Sequence, residues 1–354
     1  MSLILNLMIF FLAGTLTMYL CYKPALDKYW QTLQPTVTAL PLPYVLLLFI
    51  IGSGCAYFAV GSKDFIQPLT WGRMTLPCIA AAFIYIVSLL SEGWPYRIFV
   101  IAAVSMSVFL QPLGTDLQTA DIPSWCIRLL LIGAASVFCL GARILNFLPH
   151  TFAIPDIITL LGLGIFALLG AVPQLIGLSA VLLAGILTAY LLLNFYEIKI
   201  DFDSGAATAI NYLIITLILM NSGEFSFAAC AILTVGFWAE IIGALWYKYI
   251  LRNGGYLSEN TAMFTAAQRQ SAQLLSVNIF KIGAISTLIA CFQLYAQNAY
   301  SLFIVALAIV IWLSEALRKP TAQARKLKDI NREFIQELKQ NIEETKNLFN
   351  KKDK

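Results

Sequence analysis

An all-α, polytopic membrane bundle of about eleven transmembrane helices is what this sequence predicts, on three observations. Apolar residues make up 60% of the 354-residue chain and the mean hydropathy is +0.79, as expected of a chain that crosses a bilayer repeatedly rather than of a soluble domain with one anchor. Only 12% of residues are charged, and they gather in short stretches between apolar runs. The runs recur at roughly the 20 residues that a helix needs to cross about 30 Å of hydrocarbon.

Taken in order, the windows fall near 2–20, 38–60, 72–91, 96–112, 124–142, 153–172, 174–194, 205–221, 225–248, 275–294 and 297–317. The first, SLILNLMIFFLAGTLTMYL, lacks a basic leading region and a small-residue cleavage site, so a retained span is expected. The least sharp boundaries are the start of the third window, at Arg73, and the split between the sixth and seventh, at Val172 to Gln174. An odd number of crossings puts the termini on opposite sides. With the N-terminus outside, the inner loops hold Lys23, Lys28, Arg97, Arg143, Lys199, Lys248, Arg252, Arg269 and the whole tail. The outer connections hold Lys63, with Arg73 and Arg128 near span ends. The positive-inside rule then predicts an N-out, C-in protein of the inner (cytoplasmic) membrane whose longer polar loops face the cytoplasm.

Composition changes after Leu317, dividing the chain into a membrane domain, 1–318, and a charged tail, 319–354. In the tail Leu327, Ile330, Phe334, Leu338, Ile342 and Phe349 recur mostly three or four residues apart among alternating charges. That pattern reads as a cytoplasmic amphipathic helix lying on the bilayer or packed on a protein partner, or as a loosely solvated tail, since its apolar face is narrow. The net charge of +4 comes mainly from this tail, which argues for membrane-surface attraction; no nucleic-acid module is present and no nucleic-acid partner is expected. The seven cysteines are scattered singly, with no CxxC spacing, and read as small apolar side chains. His150 is the sole histidine, which excludes a multi-histidine metal site within the chain. A transporter is disfavoured by the lack of an internal repeat and the few charges within spans. Of those charges, Asp156 follows Pro155 at the inner start of the sixth span, while Glu240 and Lys281 enter the ninth and tenth from one side and either pair or leave Glu240 lining a cavity.

The stretch richest in chemistry is Asn194 to Asn211, NFYEIKIDFDSGAATAIN. It sets Glu197, Lys199, Asp201 and Asp203 ahead of Ser204 and Gly205, a helix start. Hard carboxylates beside free helix N–H groups suit a magnesium ion that keeps several waters and meets substrate phosphates. The same residues also read as a solvated loop leading into a helix.

The order of features resembles the polyprenyl-phosphate N-acetylhexosamine-1-phosphate transferase family, glycosyltransferases with ten or eleven spans. LLLNFYEIKIDFDSGAATAINYLI is similar to the family's span ending in Asn, Lys-containing stretch and Asp-Ser-Gly, which fall here on Asp203, Ser204 and Gly205. QPTVTALPLPYVLLL matches at Pro35 and Thr36 but lacks the family's glycines; in IYIVSLLSEGWPYR the paired aspartates become Ser91 and Glu92. ARILNFLPHTFAIPDIITLLG matches at Asn146 and Phe147, with Asp156 reaching an aspartate position only across a gap, Glu240 stands near the expected Pro-x-x-Asp, and the family's His-x-His-His is absent from YKYILRNGGYLSENTAMFTAAQRQ. The resemblance implies transfer of N-acetylhexosamine 1-phosphate from a UDP-sugar to polyprenyl phosphate at the cytoplasmic face, with Mg2+, in cell-envelope polysaccharide synthesis. It implies magnesium at Asp203 and Asp201, catalytic work by Asp156, Glu92 and Asn146, and a diphosphate met by Arg97, Arg143, Lys199 and Arg252. The replaced motif positions leave a catalytically inactive relative, a scaffold or regulator, as the alternative.

Overall fold

The computed structural model describes residues 3–32, 37–39, 42–60, 69–91, 93–110, 123–145, 153–195, 199–201, 204–221 and parts of 229–290. The described helices are α1 (Leu3–Thr32), α2 (Leu42–Val60), α3 (Leu69–Leu90), α4 (Trp94–Leu110), α5 (Ser124–Leu145), α6 (Ala153–Leu168), α7 (Gln174–Phe195) and α8 (Ser204–Asn221). Shorter helical pieces occur at 232–238 and 285–290. Each of the first eight hydropathy windows holds a helix. The ninth and tenth are described only in part, and the eleventh, the tail, Glu240, Lys281 and His150 lie outside the described residues. Among the described residues, three helices are long and apolar enough to cross a membrane, over Leu3–Lys23, Ser124–Gly141 and Gln174–Leu193; five shorter apolar helices accompany them. Large apolar side chains exposed on the outside, among them Leu12, Leu16, Phe83, Leu90, Leu129 and Leu130, give the bundle the surface of a protein solvated by lipid.

Prolines and one glycine mark the helix ends. Pro43, Pro95 and Pro155 each stand in a first turn, where the missing N–H has no intrahelical partner to lose. The unclear boundary at 169–173 is a helix stop. Gly170 adopts φ +72°, Ala171 N–H donates to the Phe166 carbonyl at 2.8 Å and Gly170 N–H to Ala167 at 3.2 Å. These are the paired bonds of a Schellman ending, which favours glycine at the left-handed position. Pro173 then accepts from Ile176 at 3.0 Å and Gly177 at 3.1 Å, opening α7.

α7 is the core helix, packed by α1, α2 and α6. Of its span window 83% is buried, against 22% for that of α1. Small residues let the backbones close. A Cβ on Gly14 would stand 2.5 Å from the Leu182 carbonyl oxygen, and one on Gly185 would overlap the Phe11 carbonyl oxygen. The gap is bridged by Thr15 Oγ1, which donates to Phe11 O at 3.0 Å and Gly185 O at 3.2 Å. Close backbone approach at small residues is how helices associate where lipid offers no hydrophobic gradient. α8 is the second buried helix, set among α3, α4 and α5; Tyr212 shares a 2.7 Å hydrogen bond with Ser107 of α4.

The departure from an all-helical chain is a parallel pair of three-residue strands, β1 (Val37–Ala39) and β2 (Lys199–Asp201), in register Val37 with Lys199, Thr38 with Ile200 and Ala39 with Asp201. β1 follows α1 and β2 follows α7, so those helices end at one side of the bundle.

Candidate functional site

The ladder is the base of the candidate site, because it ties the connection after α1 to the connection after α7. Backbone amides in so apolar a chain need partners, and three residues of each connection pair with three of the other in this ladder. Three residues beyond β2, Ser204 starts α8. Gly205 packs directly on Ser88 Oγ, with Tyr85 Cδ2 3.6 Å from where its Cβ would be, in the last turns of α3. Ser88 Oγ donates to the Tyr85 carbonyl at 2.6 Å. β1, β2, the end of α3 and the start of α8 therefore lie at one end of the bundle.

Asp201 and Lys199 stand in β2, Asp201 opposite Ala39 and Lys199 opposite Val37. Arg97 is exposed in the first turn of α4, its guanidinium 5.4 Å from the Trp94 ring centroid. Arg143 lies in the last turn of α5. Glu92, Asn146, Asp203 and Arg252 lie outside the described residues. Arg128, at the other end of α5, donates to the Val108 carbonyl at 2.6 Å and lies 5.5 Å from the Phe109 ring centroid, the snorkelling expected of a span-end arginine.

Asp156 is placed differently from a residue at an open mouth. It has no exposed surface, and among the described residues neither carboxylate oxygen has a hydrogen-bond partner. It sits in the first turn of α6, and the 232–238 piece packs on Pro155 and Thr159 beside it. A Cβ on Gly236 would stand 3.6 Å from Pro155 Cβ. Thr159 Oγ1 donates to Pro155 O at 2.9 Å and to Leu233 O at 3.0 Å. Phe237 packs on Phe138 of α5, the tilted rings having centroids 3.9 Å apart.

Two residues that sequence reasoning passed over share this interior. Asn211 of α8, with no exposed surface, donates from Nδ2 to the Phe138 carbonyl at 3.1 Å and leaves Oδ1 without a partner. Ser136 Oγ, one turn from Cys139, is likewise buried without a partner. A lone amide within the apolar run of α8 is the signal that points to Asn211, since an intramembrane polar group faces the bundle interior.

For magnesium, the described residues supply isolated acidic groups, and no cluster of three or more His, Cys, Asp or Glu side chains occurs among them. The unpartnered Asp156 oxygens fit a cation in kind, and β2 brings the Asp201 backbone to the end of the bundle that the resemblance assigns to the metal. No protein-family model, curated protein or solved structure matches the chain.

Proposed function

We propose that the chain is a membrane phosphotransferase that moves N-acetylhexosamine 1-phosphate from a UDP-sugar to polyprenyl phosphate, serving cell-envelope polysaccharide synthesis from the cytoplasmic face of the inner membrane. In this reading the bundle has eleven spans, N-out and C-in. The observation that carries it is convergence: the β1–β2 ladder and the seat of Gly205 on Ser88 bring together β1, the end of α3 and the start of α8, which lie in three of the stretches that carry the family resemblance. A lipid-phosphate oxygen attacks the sugar-bearing phosphorus, the bond from that phosphorus to the bridging oxygen breaks, and UMP leaves with the electron pair. Asp203 and Asp201 would hold a Mg2+ ion, which when bound would neutralise the diphosphate charge. Arg97, Arg143, Lys199 and Arg252 bind the phosphate oxygens, while Glu92, Asp156 and Asn146 orient the acceptor. Magnesium-dependent UMP release from membranes given polyprenyl phosphate and a UDP-N-acetylhexosamine tests the reading, with Asp203→Asn as the control.

The second reading is a catalytically inactive relative, a scaffold or regulator that docks a protein partner through the 319–354 tail. The enclosure of Asp156 favours it, because a catalytic carboxyl has to meet its substrate. UMP release no higher than that of Asp203→Asn decides for this reading.

A further inference from the structure

α4 turns one face away from the bundle. Trp94, Ile98, Ile101 and Phe109, at helical spacing, are exposed, while Tyr96, Val100, Val104 and Val108 are buried. An arginine stands at each end of the outward face. At one end the Arg97 guanidinium lies 5.4 Å from the Trp94 ring centroid. At the other, Arg128 of α5 lies 5.5 Å from the Phe109 centroid and donates to the Val108 carbonyl at 2.6 Å. Both are cation–π distances, and the bond to Val108 holds Arg128 at the level of the last turn of α4. Trp94 and Phe109 are separated along the helix by about 23 Å, at 1.5 Å of rise per residue. Hydrocarbon about 30 Å thick exceeds that by about 7 Å, and tilting α4 only widens the difference. The rim of the bundle is uneven in this respect, because the apolar window of α1, Leu3–Lys23, reaches about 30 Å.

We infer that the outward face of α4 binds a thinned annulus of phospholipid, whose headgroup phosphates settle on Arg97 and Arg128 and draw the two leaflets to about 23 Å there. Along α1 the leaflets keep about 30 Å. Charge at both ends of an apolar strip selects the occupant: a bilayer carries phosphate at both of its surfaces and hydrocarbon between, and a guanidinium fork takes phosphate oxygens in pairs. Sinking an arginine into hydrocarbon is costly, whereas lipid compresses at a modest cost per ångström, so it is the lipid that yields. The inference goes beyond the transferase reading, agrees with Arg97 meeting phosphate borne by a lipid, and needs no turnover.

The test uses the full-length chain in nanodiscs of dioleoyl phosphatidylcholine, both faces open to a membrane-impermeant maleimide, with the modified cysteines identified by mass spectrometry. Gly93 and Leu110 are exposed just outside the two arginine levels, and a Cβ on Gly93 meets nothing closer than 3.6 Å. They stand within about 28 Å of each other along α4, so an unthinned slab of about 30 Å covers at least one of them at any offset or tilt. Gly93→Cys and Leu110→Cys should each react at close to the rate of the denatured chain. Ala102→Cys, exposed between them, should react at least about a hundredfold more slowly, because a thiol in hydrocarbon does not ionise. Arg97→Leu with Arg128→Leu should slow Gly93→Cys or Leu110→Cys at least about tenfold as the bilayer recovers its thickness. Protection of either end while both arginines are present overturns the inference. So does fast reaction of Ala102→Cys, which would put water against α4, and so do end rates unchanged by loss of the arginines. Should the double arginine variant fail to fold, the three cysteine variants decide the thinning by themselves. UMP release is not read, so failure here and failure of the transferase reading are separate results.

Discussion

Replacing Gly185 by Ala should loosen the α1–α7 seam, and Gly133→Ala supplies the control within the same protein. At Gly185 the added methyl meets backbone: it overlaps the Phe11 carbonyl oxygen and stands 3.1 Å from Phe11 C and 3.2 Å from Thr15 N. Backbone cannot rotate aside, so the helices must separate. Overpacking of this kind costs about 1–3 kcal/mol, and separation also strains the Thr15 to Gly185 bond of 3.2 Å, worth about 0.6 kcal/mol in a membrane bundle. At Gly133 a Cβ meets nothing within 4 Å, and the gain in helix propensity of up to about 1 kcal/mol is common to both sites. The two variants should therefore differ by about 2–4 kcal/mol, read as the shift in unfolding free energy on SDS titration of purified protein in mixed micelles. Adding Gly14→Ala, which meets the Leu182 carbonyl oxygen at 2.5 Å, should cost less than its separate effect once the helices are apart. Equal stability of Gly185→Ala and Gly133→Ala would refute the close approach.

Further expectations follow from single contacts. Gly170→Ala forces φ +72° on a residue with a Cβ and should lower stability by about 1 kcal/mol in the same titration. Tyr212→Phe removes the 2.7 Å bond to Ser107 and should cost about 0.6 kcal/mol, leaving Ser107→Ala nearly without effect in the Phe background. Thr38→Pro puts a proline in the middle of β1, opposite Ile200; on the transferase reading it should lower UMP release more than it lowers folded yield. Chelation of magnesium should abolish that release and excess Mg2+ restore it.

Much of the helical framework was legible in advance because hydrocarbon thickness sets a length and hydropathy reports it. Windows at 124–142 and 174–194 match α5 and α7 closely, and Pro155 with Asp156 stands in the first turn of α6 as expected. The stop at Gly170 was blurred because Ala171 and Val172 continue the apolar run; only the φ of the glycine and its paired bonds reveal it. The β1–β2 ladder was hidden for another reason. Three-residue strands have too short a period to read, and their partners lie far apart in the chain. At the site, the carboxylate of Asp156 could be named from its place in a span, but its burial without a partner among the described residues depends on how α6 and the 232–238 piece meet.

By itself the sequence determined that the chain is helical and apolar enough for a bilayer, where many of its helices begin and end, and which charges lie within them. Only the tertiary structure decided which helix is core. α1 and α7 are comparably apolar, yet α1 exposes most of its window and α7 buries most of its own. Lipid tails are as apolar as leucine, so hydropathy cannot distinguish a face turned to lipid from one turned to protein. That choice falls to steric fit at Gly14 and Gly185, and to the few polar groups, Thr15, Asn211 and Asp156, that the bilayer will not take.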